Sequence, residues 1–163
     1  MISAAVPWFD ILAMLAASDG GYASHAAGRA SASVVDPLSV TAERDLDFGL
    51  LETGRSGTVV VSAVDPVSRD GTGPATFLVR GGPLLNYRVK PERRAIARGR
   101  STGAEVEVTD LTVATKNLGR RDWTGRLDVE GKDRVAVGGT ITLPADAPAD
   151  RYVAEVLVMV SYE

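Results

Sequence analysis

The stretch that decides the fold is residues 85–90, which read LNYRVK. Leu85, Tyr87 and Val89 are apolar or aromatic, and the residues between them are polar or charged. Successive side chains of a β-strand point to opposite faces of the sheet. This pattern therefore predicts a strand with one face in a core and the other face in water.

The same alternation recurs on both sides of this stretch. It covers residues 38–43, 58–63, 75–80, 104–109, 127–129 and 135–143, and turn residues separate these runs. A change of phase predicts a bulge near Asp110, and the Gly138-Gly139 pair predicts a kink. Residues 151–162 are apolar on both faces, which predicts one long central strand. The pattern favours an all-β fold, an immunoglobulin-like antiparallel β-sandwich of roughly seven to nine strands.

The composition excludes several kinds of site. The chain has 163 residues, no cysteine, 18 Lys and Arg against 21 Asp and Glu, and a formal charge of −3. Without cysteine there is no disulfide, thiolate zinc site or cysteine nucleophile. The negative charge does not favour nucleic acid as a partner.

The first 32 residues differ from the rest in composition. Residues 11–17 read ILAMLAA, an apolar run too short to span a membrane but suited to the core of a signal peptide. The first basic residue is Arg29, and Asp10 precedes the run, so a short helix or a disordered arm is the alternative. We expect residues 1–32 to form a leader and residues 33–163 a single sandwich domain, with no transmembrane segment. Export to the periplasm, the cell surface or the medium follows from the first interpretation.

No residue pattern points to catalysis, a metal or a cofactor. His25 is the only histidine and lies in the expected leader, which argues against a catalytic triad or a histidine metal site. The densest acidic set is Asp128, Glu130 and Asp133, but the first two fit the wet face of a strand and no calcium loop occurs. We therefore predict that the protein is not an enzyme and has no cofactor.

The order of several short motifs resembles a bacterial family known only as domain of unknown function number 4402. The motifs are LSVTAERDLDFGLL at residues 38–51, ATFLV at 75–79, NYRV at 86–89, VGGTI at 137–141, PA at 148–149 and VSY at 160–162. The resemblance covers residues 38–163 and implies an exported subunit similar to fimbrial and spore-coat proteins. Tyr162 resembles the penultimate aromatic residue of pilins, although the glycine that pilins place one strand-length earlier is absent.

Two function classes remain after these exclusions. The first is a structural or interaction domain, such as a fimbria-like subunit, that joins a protein partner or a second copy by strand addition. The second is a carbohydrate-binding or adhesin module, which needs exposed Trp123 and Tyr87 rings near Arg or Asn. We predict five partner contacts: Trp123, Tyr87, Arg120, Arg121 and Tyr162.

Two basic segments bear on the ligand of such a module. They are residues 90–100, KPERRAIARGR, and the arginines around Trp123 at positions 120, 121 and 126. If the two segments meet in the fold, they suit a polyanion such as an acidic polysaccharide. The alternative is that they are solvated loops and strand edges, and that the Trp123 ring covers one end of the core. Partner identity and assembly state are open at this level.

Overall fold

The computed structural model describes residues 36–52, 56–119 and 123–163. The chain divides into two compact units, Met1–Ser33 and Val34–Glu163, and every described residue belongs to the second. The expected leader at residues 1–32 lies outside the described residues, and so does its boundary with the domain. Among the described residues there is no helix with the length and hydrophobicity needed to cross a membrane.

The described part of the chain is built from antiparallel strands, as the alternation predicted. In chain order they are β1 (Ser39–Arg44), β2 (Leu46–Leu51), β3 (Gly57–Val61), β4 (Ala75–Arg80), β5 (Asn86–Pro91), β6 (Ala95–Gly99), β7 (Glu105–Thr115), β8 (Thr124–Arg126), β9 (Lys132–Leu143), β10 (Asp150–Ala154) and β11 (Val158–Tyr162). These eleven strands exceed the predicted seven to nine.

The strands form two sheets around one core. The large sheet has the order β1-β4-β9-β7-β6-β10-β2, with β3 paired to β9, and the small sheet has the order β11-β5-β8. A bridge between Asp47 and Gly73 brings β2 to the start of β4, so the large sheet almost closes on itself. Tyr87 and Val89 of the small sheet share the core with Phe77 and other residues of the large one. The predicted sandwich is confirmed.

The Gly138-Gly139 pair lies where the central strand β9 changes partner. Residues of β9 up to Val137 pair with β4, and those from Gly139 onward pair with β3. A methyl group on Gly138 would overlap the carbonyl oxygen of Val61, so only glycine lets the backbones approach this closely. The strand continues through the pair.

The predicted bulge near Asp110 is confirmed. Asp110 has a positive φ of 49°, and the register of β7 against β9 shifts between Thr109 and Thr112. The shift explains why the apolar residues change from even to odd positions at this point of the sequence.

The prediction of one long central strand at residues 151–162 was wrong. The segment forms two strands in different sheets: β10 lies between β6 and β2, whereas β11 is the edge strand of the small sheet. The apolar residues of this segment lie in two different environments. Tyr152, Ala154 and Val156 enter the core, whereas Leu157 and Met159 are exposed.

Candidate functional site

Tyr87 is a core residue, and its prediction as an exposed partner contact was wrong. Its side chain is fully buried, and its hydroxyl donates a hydrogen bond to Oδ2 of Asp133 at 2.9 Å. The physical reason is the alternation itself, because Tyr87 shares the inward face of β5 with Val89. A methyl group on Gly125 of β8 would overlap the Tyr87 ring, so the ring packs directly against that backbone.

Asp133 is the buried acid that accepts this bond. Its Oδ1 accepts hydrogen bonds from the backbone N–H of Asn117 at 3.1 Å and of Arg134 at 2.7 Å. Burial raises the pKa of Asp133, while the bond from Tyr87 and the backbone N–H groups oppose that rise. Burial, with the nearby carboxylate second, raises the pKa of Tyr87. The pair is a structural element of the core, and it was missed at the sequence level.

Two other acids are buried at the ends of strands. Oδ2 of Asp150 accepts bonds from the backbone N–H groups of Ser101 and Thr102 and from the Thr102 hydroxyl, and these bonds hold the pKa of Asp150 well below its ordinary value. Asp47 forms an ion pair with Arg151 at 2.9 Å. Both acids connect neighbouring segments of the large sheet, so neither is a candidate for catalysis.

The acidic set at residues 128–133 does not converge on a common point. Asp128 lies in a turn, where its Oδ1 accepts bonds from the backbone N–H of Glu130 and of Lys132, both at 2.9 Å. The expectation that Asp128 and Glu130 lie on the wet face of a strand was therefore wrong. Within residues 36–52, 56–119 and 123–163, no group of three or more His, Asp or Glu residues is placed to hold a metal ion.

Trp123 is half exposed and joins the two basic segments. Its side chain is 48% exposed, and its backbone oxygen accepts a hydrogen bond from the N–H of Val89 at 2.6 Å. This bond extends the pairing of β8 with β5, so the segment that starts at Lys90 lies beside Trp123. The described part of the second segment, which starts at Trp123, therefore lies beside the start of the first. Arg120 and Arg121 lie outside the described residues.

The first basic segment itself divides into two parts. Residues Ala95–Gly99 form β6, where Ala95 and Ala97 enter the core. Arg94 and Arg98 form ion pairs with Glu107 and Glu105 across the neighbouring strand β7. The sequence did not separate this paired strand from Lys90 and Arg93, which lie beside Trp123.

Trp123 lines a cleft of about 760 Å³ at the side of the small sheet. Leu111 and Trp123 give it an apolar wall. Its charged lining consists of three cationic side chains and one acidic one: Arg88, Lys90, Arg93 and Glu92. We call this the Trp123 cleft. It combines an exposed aromatic ring with an excess of cationic over acidic side chains.

Tyr162 connects the last strand to the segment before β1. Its hydroxyl accepts a hydrogen bond from the N–H of Gly82 and donates one to the carbonyl of Asp36, both at 2.7 Å. The ring is partly buried against the core. These contacts give Tyr162 a structural role within the domain, and its role as a partner contact stays a prediction.

The edge of the small sheet is a second exposed feature. Among the described strands β11 pairs only with β5, and its sequence VMVSY carries no charged side chain. Leu157, just before this strand, is 61% exposed, and Met159 on the strand is 68% exposed. Natural edge strands are usually protected by charges or by cover, because unpaired backbone groups attract other strands.

The comparison with known families gives one match. Residues 38–162 match the model of a family described as Domain of unknown function (DUF4402). The chain belongs to the DUF4402 family. No curated protein and no solved structure matches the chain.

In this DUF4402 chain the matched range contains all eleven described strands, from β1 to β11. The Trp123 cleft and the β11 edge both lie inside it. The family description gives no function, so the function has to be argued from these two surfaces.

Proposed function

We propose that this DUF4402 chain is a non-catalytic, exported structural or interaction domain that associates with a second copy by strand addition at β11. The supporting observation is the edge of β11 in the small sheet, which no described strand covers. Backbone N–H and C=O groups on such an edge are satisfied when another extended segment pairs with them.

The side chains next to this edge favour a dry contact. Leu157 and Met159 expose large apolar surfaces, and they line a groove together with charged residues that include Lys90 and Arg93. Covering an exposed apolar side chain contributes roughly 25 cal/mol for each Å² removed from water. A strand added at β11 would cover Leu157 and Met159 while it completes the backbone pairing.

Sizing of the full chain by light scattering tests this association. We expect the wild-type chain to form dimers or larger species as its concentration rises, and the double substitution Leu157→Lys/Met159→Lys to stay monomeric. The matched control is Leu50→Lys/Val60→Lys, which changes two equally exposed apolar residues on β2 and β3. A wild-type chain that is monomeric at every concentration contradicts the proposal, as does a control that dissociates the assembly equally well.

Export rests on the apolar run at residues 11–17 and on the resemblance to exported subunits. Cell fractionation of the native host, with N-terminal sequencing of the recovered protein, tests it. We expect the protein in the periplasm, at the surface or in the medium, and shortened at its N-terminus. Recovery of the uncleaved chain from the cytoplasm contradicts export.

A carbohydrate-binding or adhesin module is the second function, and the Trp123 cleft is the observation that favours it. The half-exposed Trp123 presents an aromatic ring in a concave surface, while Tyr87 is buried and contributes nothing to binding. A glycan array tests this function. Binding that the substitution Trp123→Ala abolishes supports it, and an array without binding refutes it.

A further inference from the structure

We infer that the Trp123 cleft binds an acidic polysaccharide, a chain of sugar rings that carries repeated carboxylate or sulfate groups. The inference rests on the second proposed function, and its cations Lys90 and Arg93 also line the groove beside β11. The cleft combines the two chemistries that such a chain requires, an apolar wall for the ring face and cations for the acidic groups.

The cations are available to a ligand. Lys90 and Arg93 are exposed, and neither forms an ion pair with any residue of the described segments. Arg88 is paired with Glu163 at 3.1 Å, but its side chain is 65% exposed, so this contact is weak and screened by water. Of the other basic residues of the first segment, Arg94 and Arg98 form exposed ion pairs with glutamates of β7, and none of Arg94, Arg98 and Arg100 lines the cleft.

The positive charge continues along the outer face of the small sheet. Arg88 and Lys90 occupy alternate positions of β5, so they point outward about 7 Å apart. Arg126 of β8 lies opposite Asn86 on the same exposed face. The cations thus form a row that leads away from Trp123, which suits a ligand with repeated negative groups.

An acidic polysaccharide fits this surface better than a nucleic acid does. Single-stranded nucleic acids bind through successive bases stacked on several aromatic side chains within a strongly basic groove. Here Trp123 is the one aromatic residue that lines the cleft within the described segments, and the formal charge of the whole chain is −3. A sugar ring needs only one aromatic face, and its acidic groups need only a local row of cations.

Substitution of Glu163 tests the inference through an expected gain in affinity. Its carboxylate takes up two donor atoms of Arg88, at 3.4 and 3.1 Å, and competes with an acidic ligand for that guanidinium. Glu163→Gln removes the negative charge and leaves the size of the side chain unchanged. We expect it to tighten binding of an acidic polysaccharide about two- to fivefold.

The experiment measures binding of the full chain to polygalacturonate, heparin, uncharged dextran and single-stranded DNA at physiological salt. We expect binding to polygalacturonate or heparin and none to dextran. The double substitution Lys90→Gln/Arg93→Gln should weaken binding about fivefold or more, and Trp123→Ala should weaken it further. The matched control is Arg69→Gln/Arg100→Gln, which makes the same charge change at two exposed positions outside the cleft and should alter binding less than about twofold. Circular dichroism of each variant checks that the fold is kept.

Three results would overturn the inference: no binding to either acidic polysaccharide, an equal loss in the Arg69→Gln/Arg100→Gln control, or tighter binding to DNA than to polysaccharide. Binding to dextran that Trp123→Ala abolishes, without binding to the acidic chains, would also overturn it. That last result would leave the carbohydrate-binding module intact, so the two failures are distinguishable.

Discussion

Removal of the Tyr87 hydroxyl should destabilise the domain through the acid that it contacts. In Tyr87→Phe the ring stays in place, but Oδ2 of Asp133 loses its donor at 2.9 Å while the residue stays buried. A hydrogen bond to a charged group contributes about 1.5–3 kcal/mol, so we expect a loss of about 2 kcal/mol in the free energy of unfolding at pH 8. This corresponds to a fall of about 1 M in the urea midpoint.

The pH dependence of this loss follows from the pKa of Asp133. Folding raises that pKa, so the stability contributed by the protonated acid is present below the ordinary value of 3.8 and is lost as the pH rises through the folded pKa. Tyr87→Phe removes an interaction that lowers the pKa, so the loss should be small near pH 4 and larger at pH 8. Asp133→Asn should remove this pH dependence.

Urea unfolding followed by circular dichroism at the two pH values measures the effect. The matched control is Tyr152→Phe, which removes an equally buried hydroxyl that donates to the neutral carbonyl of Pro148 at 2.9 Å. We expect the control to cost about 0.5–1.5 kcal/mol at both pH values. A loss for Tyr87→Phe below about 0.5 kcal/mol at pH 8, or one that does not change with pH, would refute the reasoning.

Two further predictions concern backbone approach and acid stability. Gly138→Ala should lower the free energy of unfolding by about 1–3 kcal/mol because its methyl group meets the backbone of Val61. The control Gly57→Ala should not lower it, because the space around Gly57 is open. Thermal melts compare the two variants. If Gly138→Ala melts like Gly57→Ala, the close approach in the large sheet is wrong. Folding lowers the pKa of Asp150, so the stability that its carboxylate contributes disappears as the carboxylate is protonated. Asp150→Asn should therefore lower the free energy of unfolding near pH 7, and that free energy should fall less steeply below about pH 4 than in the wild-type chain. Unfolding curves between pH 2 and pH 7 measure this, and an unchanged acid profile would contradict it.

Local alternation predicted the strands well because it depends only on neighbouring residues. Residues 85–90 became β5 with the expected faces, and the change of phase at Asp110 became a bulge. The same alternation already placed Tyr87 beside Val89, so its burial followed from the sequence. The prediction of Tyr87 as a contact failed because an aromatic ring suits a core as well as a binding surface, and the inward position of Tyr87 on β5 places it in the core.

The remaining differences depend on contacts between distant residues. An apolar run such as residues 151–162 has the same pattern in one central strand as in two strands that pass from one sheet to the other. The partners of Asp133 come from residues 87 and 117 as well as from its neighbour, and those of Asp150 from residues 101 and 102. No spacing along the chain indicates such partners. For the same reason, the sequence could not indicate whether the two basic segments lie next to each other in the fold.

Hydrogen exchange of backbone amides, measured over a range of protein concentrations, tests the central proposal most directly. If copies associate by strand addition at β11, amides within Val158–Tyr162 should become protected as the concentration rises. Those of β1 and β2, the two ends of the large sheet, should not change. Exchange at β11 that is independent of concentration, in a sample that light scattering shows to be associated, would contradict the proposal and move the interface elsewhere.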